Sequence, residues 1–213
     1  MTPNKEDYLK LILELGGDTD LISNKQIVDG LHVSAASVSE MISKLVEQVY
    51  VTHTPYQGIH LTDTGRLAAA LLVRNHRLWE VFLVEELKYP IDAIHSEAES
   101  LEHATTAEMA NRLAARLNYP QFCPHGGVIP DANGQFQPQS RLRLSDLEVG
   151  DTVILDRFLD EAALIDYIAR LHMKIGDQFT VTAKSDAALT LALESNRTVQ
   201  FDRKQSAHVF VQR

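Results

Sequence analysis

The sequence predicts a mainly α protein with a small β domain at its C-terminal end. Three observations carry that expectation. Apolar residues recur at helical spacing through most of the first 117 positions, a Pro- and Gly-rich stretch runs from Asn118 to Ser140, and short strand-like segments follow it.

Leu9, Ile12, Leu13 and Leu15 define a first helix over residues 4–16, and Gly16-Gly17 stops it. Ser23 caps a second helix over 24–31. Ser34 or Ser37 caps a third that runs toward Gln48, with Val38, Met41, Ile42, Leu45 and Val46 on one face. Val49 to His53 reads as a strand, Pro55 to Gly58 as a turn and Ile59 to Thr62 as a returning strand. Three helices closed by a β-hairpin are the layout of a winged helix-turn-helix. Thr62-Asp63-Thr64-Gly65 offers caps for a long helix reaching Leu87, and Tyr89-Pro90 ends it. Two more helices are expected over 93–103 and 106–117. Beyond the loop, strands are expected over 147–155, 178–183, 189–193, 198–201 and 208–211, with a helix over 161–171. Glu148-Val-Gly-Asp and Lys174-Ile-Gly-Asp begin two of them alike, as paired strand entries of a small barrel would. The division this predicts is 1–64, 65–140 and 141–213.

With 213 residues, 45% hydrophobic and 23% charged, the chain is ordinary globular sequence with enough length to bury a core. The longest apolar run, Leu67 to Val73, is far short of the ~20 residues a membrane span needs, and MTPNKEDYLK lacks a leader's apolar stretch. A cytoplasmic protein with no membrane association is expected. The lone Cys123 excludes an intrachain disulfide and fits a reducing compartment. Net charge is −9, distributed as −4, −4 and −1 over residues 1–70, 71–140 and 141–213. No segment is basic enough to announce nucleic-acid binding by itself, and acidic residues among histidines suit cation binding as well as solubility.

The chemistry-bearing residues concentrate in the middle third. His76 and Glu80, four apart, share one helix face, and His95, Glu99, Glu102 and His103 form a second helical stripe. Imidazole and carboxylate together suit Mn²⁺, Fe²⁺ or Zn²⁺. One such pair is usually a solvated face; two sets close in sequence favour metal binding. Asp7 lies in a first helical turn, where an acid is ordinary. Cys123 and His125 share a constrained loop, as soft metal ligands, a nucleophile pair or a buried structural thiol. HExxH is absent, as is any nucleophile elbow or oxyanion donor set, so no enzyme and no small-molecule substrate are expected. In the third helix Ser34, Ala35, Ala36, Ser37 and Ser39 are small enough for close approach to base edges and phosphates. Lys44, with Tyr56 and Gln57 at the hairpin tip, adds candidate DNA-backbone contacts.

Taken in order, these features resemble the diphtheria toxin repressor and manganese transport regulator family of metal-dependent repressors, over essentially the whole chain. The most specific stretches are Glu6-Asp-Tyr-Leu9, His76-Arg-Leu-Trp-Glu80 and His95-Ser-Glu-Ala-Glu99-Ser-Leu-Glu102-His103. The third domain is similar to the SH3-like barrels of longer members, and Cys123-Pro-His-Gly is similar to a loop of the streptococcal manganese-responsive type. The resemblance implies a primary site of Asp7, Glu99, Glu102 and His103 with Cys123 as an extra ligand. It implies a second site of His76, Glu80 and His95, completed by an acid of the barrel, here Asp160. Iron-sensing members tend to carry Met and Cys where this chain has Asp7 and Glu99, which implies Mn²⁺, with Fe²⁺, Zn²⁺ or Cd²⁺ as substitutes. Short manganese-sensing members carry a glutamate where this chain has Lys10, which favours two separated sites over a two-ion cluster. The implied function is a homodimer that binds operator DNA when loaded with metal and represses manganese-uptake genes. The alternatives are a metal-independent winged-helix regulator sensing an organic ligand, and a metalloenzyme using the His/Glu ligands with Cys123 and His125.

Overall fold

The structure is a computed structural model and describes residues 1–159, 161–195 and 197–213. Among these the chain packs as two compact units. One comprises Met1–Trp79, Ala98–Tyr119 and Ile129–Phe136, and the other Glu80–Glu97, Pro120–Val128 and Gln137–Arg213. No helix among the described residues is long and apolar enough to cross a membrane.

The first unit opens with α1 (Pro3–Glu14), α2 (Asn24–Leu31) and α3 (Ala35–Glu47), followed by β1 (Val51–Thr54) and β2 (Gly58–Leu61). Ser23 and Gln26 form a reciprocal capping box at the start of α2, and Ser34, one of the two expected caps, starts α3. Tyr8, Leu9 and Ile12 of α1 pack with Ile27, Val38, Ile42 and Leu45 beneath the hairpin residues Val51, Ile59 and Leu61. Ile22 adds two backbone hydrogen bonds to Ile59, which fastens the α1–α2 connection to the hairpin edge. The first strand begins at Val51 and not at Val49. The backbone of Val49 turns left-handed at φ 60°, and its N–H and that of Tyr50 close back on Val46 and Leu45 to end α3.

A 23-residue helix, α4 (Asp63–Glu85), follows; the Thr62 hydroxyl accepts from the Gly65 N–H at its start. The expected helix over 93–103 begins as a 3₁₀ turn at Ile91–Ala93 and continues as α5 (Ile94–Glu102), so His103 lies just past its end. α6 (Ala107–Arg116) starts on the Thr106 cap.

In the second unit a five-stranded antiparallel sheet runs in the order β6-β5-β4-β3-β7. Its strands are β3 (Thr152–Phe158), β4 (Gln178–Lys184), β5 (Ala188–Leu193), β6 (Thr198–Asp202) and β7 (Val209–Gln212), with α7 (Ala162–Arg170) against it. Leu164, Ile165 and Ile168 of α7 meet Phe179, Leu191 and Phe201 in its core. β3 starts five residues later than expected, because Glu148–Asp151 is a turn. The Asp151 carboxylate accepts from the Glu148 N–H at 2.8 Å, and Gly150 takes φ 99°. Lys174–Asp177 repeats that turn, with Asp177 accepting from the Lys174 N–H at 2.9 Å and Gly176 at φ 90°. The two similar sequences are therefore matching entries to the paired strands β3 and β4.

Candidate metal centres and DNA-contact face

In the first unit Asp7, Glu102 and His103 each offer a ligand atom within 4.8 Å of the others. α1 buries Tyr8, Leu9 and Ile12 and so turns Asp7 toward the end of α5, where Glu102 is the last helical residue and is fully buried. The Nε2 of His103 lies 3.1 Å from Asp7 and 3.7 Å from Glu102. Its Nδ1 lies 2.6 Å from the carboxylate of Glu6, a partner absent from the sequence reading. α4 fixes the end of α5 from behind. Asn75 donates to the carbonyls of Glu102 and Thr105 at 3.3 Å, and the Trp79 indole N–H donates to the Thr105 hydroxyl at 2.7 Å.

The charges here are unbalanced. Burial pushes the Asp7 carboxyl above its ordinary range; His103 pulls it down, and the nearby charges of Glu102 and Glu99 push it further up. Burial also works against an ionised Glu102, but its hydrogen bond to His76 and the Lys10 charge outweigh that and hold it below the usual carboxylate range. Lys10 is itself buried. It donates to both Glu102 oxygens at 2.8 and 3.1 Å, and its Nζ lies 3.1 Å from the Nδ1 of His76, which also contacts Glu102.

In the second unit Glu80, Cys123 and His125 form another such group, all three buried. The Glu80 carboxylate lies 2.8 Å from the Nδ1 of His125. Phe122 to Val128 is a tight loop, closed by hydrogen bonds from the Cys123 N–H to the Gly127 carbonyl and from the Gly126 N–H to the Cys123 carbonyl, each 2.9 Å. Gly126 sits at φ 81°, and a Cβ there would come 2.2 Å from the Asp156 carbonyl on β3. Glycine is what lets this loop lie against the sheet, where the His125 ring also packs 5.3 Å from that of Phe158.

These placements differ from the sequence expectation in particular residues. Glu99, expected as a primary ligand, is exposed one turn before His103 and stands outside the Asp7–Glu102–His103 group, acting on Asp7 by charge. Cys123, expected beside those residues, is grouped with Glu80 and His125, because the loop closure and the sheet fix where its thiol points. No such difference is found for the second set expected, among the described residues: Glu80 and His95 each offer a ligand atom within 4.8 Å of the other, and His76 lies one turn before Glu80 on the same helix, α4. Asp160 lies outside the described residues.

On α3, Val38, Ile42 and Leu45 face the core, leaving Ser34, Ala36, Ser37, Ser39 and Lys44 exposed on the other side. The Ser34 hydroxyl is engaged as the cap, Ser39 donates to the Ala35 carbonyl at 2.9 Å, and Lys44 is paired with Glu40 one turn back at 2.6 Å. Tyr56 and Gln57 are exposed at the hairpin tip. The face is small and open, as close approach to a duplex requires.

The donor sets fit divalent cations. Two carboxylates and an imidazole suit Mn²⁺ or Fe²⁺, while a thiol beside a carboxylate and an imidazole extends the range toward Zn²⁺ and Cd²⁺. Comparison with known proteins agrees with the fold and with metal binding in general. Residues 1–59 match the family model for the N-terminal DNA-binding domain of iron-dependent repressors, 62–131 that for their metal-binding and dimerisation domain, and 142–213 the FeoA domain. The iron-dependent repressor IdeR of Mycobacterium tuberculosis is 26% identical over 98% of this chain and 96% of its own length. The HTH-type transcriptional regulator MntR of Oceanobacillus iheyensis is 30% identical over 55% of this chain and 80% of its own. The solved structure of the manganese regulator SloR is 38% identical with a TM-score of 0.88, covering 100% of both chains. That of ScaR with bound Zn²⁺ is 34% identical with a TM-score of 0.88, covering 99% of each.

Proposed function

The chain belongs to the iron- and manganese-dependent repressor family of diphtheria toxin repressor and manganese transport regulator type, and from that premise we propose that it is a manganese-responsive repressor acting as a homodimer on operator DNA. The observation that carries this reading is the Asp7–Glu102–His103 group, which draws its donors from α1 of the DNA-binding stretch and from the end of α5. The proposed division is 1–64 for DNA binding, 65–140 for metal binding and dimerisation, and 141–213 for the SH3-like barrel.

The oxygen-rich donor set favours Mn²⁺, with Fe²⁺, Zn²⁺ and Cd²⁺ as substitutes. When bound, the ion adds positive charge beside the neighbouring acids Asp7, Glu99 and Glu102, of which Glu102 is already paired with Lys10. Asp7 then holds α1, and Glu102 and His103 hold the end of α5, where Glu6 fixes the His103 ring and Asn75 and Trp79 fix the backbone and Thr105. α1 shares its core with α3, so fixing α1 fixes the recognition helix. In a homodimer two such helices would meet major-groove half-sites about one turn apart or a multiple of it. Metal and DNA then reinforce each other reciprocally, by roughly 1–3 kcal/mol. We assign the second ion to Glu80, Cys123 and His125; Asp160, expected from the resemblance to complete the second site, lies outside the described residues. The set expected from the resemblance, His76, Glu80 and His95, shares Glu80 with it.

A Mn²⁺ titration of chelator-stripped protein, followed by electron paramagnetic resonance, tests this. Replacing Glu102 with alanine would leave the buried Lys10 ammonium with neither counter-charge nor acceptor there, at a cost of about 3–5 kcal/mol; Glu102→Gln also removes the charge but keeps an amide oxygen to accept from Lys10, and is the sharper variant. The native chain should bind two classes of ion and the variant one, with metal-dependent operator affinity lost. No saturable binding in the native chain, or unchanged operator affinity in the variant, overturns the reading.

A further inference from the structure

The first unit already contains a cation. The Lys10 ammonium stands where the Glu102 carboxylate and the His76 imidazole converge, within 3.1 Å of both Glu102 oxygens and of His76 Nδ1. All three side chains are buried, and they come from α1, α5 and α4 respectively. A carboxylate and an imidazole converging on one buried point are themselves a partial ligand set for a divalent ion. An ammonium there satisfies the same groups with one positive charge and repels any further cation approaching that point.

We infer that Lys10 is a resident cation with two roles, ion-count specificity and positioning. It occupies the Glu102–His76 position so that no divalent ion enters it, leaving Glu102 to serve a single ion on the side of Asp7 and His103. It also ties α1 to α4 and α5 in the ion-free protein, so the DNA-binding helices are anchored before metal arrives. Metal therefore tightens an attachment that Lys10 has already made. This inference rests on the assignment of Asp7, Glu102 and His103 as the primary site.

Lys10→Met keeps the length and apolar stem of the side chain and removes the charge, while Lys10→Arg retains a cation. In chelator, Lys10→Met should melt several degrees below the native chain, because Glu102 is left as a buried charge without its counter-ion. Titrated with Mn²⁺ alone and counted by electron paramagnetic resonance, Lys10→Met should bind one ion per chain more than the native protein and recover the lost melting temperature. Lys10→Arg should keep the native ion count. A Lys10→Met protein with an unchanged ion count, or with an unchanged melting temperature in chelator, overturns the inference while the native titration stands. A native chain that binds no Mn²⁺ overturns instead the metal reading beneath it.

Discussion

Glu6 holds the far nitrogen of His103: its carboxylate lies 2.6 Å from Nδ1, leaving Nε2 of the same ring 3.1 Å from Asp7. The pairing fixes the orientation of the ring and which nitrogen faces the candidate ion, as carboxylate partners of metal-binding histidines generally do. Glu6→Gln should therefore weaken Mn²⁺ binding at the primary site by roughly 10–100-fold, with the second class of ion unaffected. Isothermal titration of the two proteins measures the difference.

Cys123→Ser should lower Cd²⁺ affinity at the Glu80–His125 group and abolish the ultraviolet thiolate-to-metal absorption band, because serine cannot supply a soft thiolate donor. Ion binding at Asp7, Glu102 and His103 should persist. A variant that loses the primary class and keeps the second would restore Cys123 to the ligand set first expected for it.

Gly126→Ala should open the Cys123–His125 loop from β3. The added methyl would meet the Asp156 carbonyl at 2.2 Å, and φ 81° is itself strained for alanine. A loss of about 1–3 kcal/mol in urea unfolding is expected, together with loss of the Cd²⁺ band although all three ligands remain in the chain.

His208 reports on the barrel domain. Its ring lies 3.0–3.1 Å from the Glu161 carboxylate, and that hydrogen bond raises its pKa above the ordinary imidazole value, against partial burial and the repulsion of Arg143. A folded-state pKa above the unfolded one contributes stability that is complete below about pH 6.5 and fades as pH rises through the raised value. Both groups are near half exposed, so the energy is modest. In a proton NMR titration of ion-free protein, Glu161→Gln should bring the His208 midpoint down toward the ordinary value.

Much of this architecture is legible in the sequence because local signals and the core agree. Ser23 and Ser34 cap the helices they precede, and the Val38–Ile42–Leu45 spacing is the buried face of α3. The boundaries that move are those where turn chemistry overrides strand propensity. Val49 and Val149 are β-branched, yet the first ends a helix and the second sits in an Asp-capped turn. At the site, adjacency in sequence at the end of α5 is enough to bring Glu102 and His103 into one group. It is blind to contacts made across the fold: Glu6 with His103 is 97 residues apart, and Lys10 with Glu102 is 92. Adjacent acids at Glu6-Asp7 are the one local hint of the former. Cys123 joins Glu80 through a loop whose conformation rests on Gly126, a backbone preference that no ligand spacing encodes.

The burial of Cys123 has a practical corollary. It is the single cysteine in the sequence, and it lies inside the Glu80–His125 group. The speed at which an alkylating reagent consumes the protein's thiol is therefore a label-free clock for local opening of that loop. An ion that ligates the sulfur should slow the clock, and one seated only at Asp7, Glu102 and His103 should leave its rate unchanged unless the two ions communicate. Alkylation timed at increasing Mn²⁺ thus reads out, from one atom that needs no engineering, whether filling one centre is felt at the other.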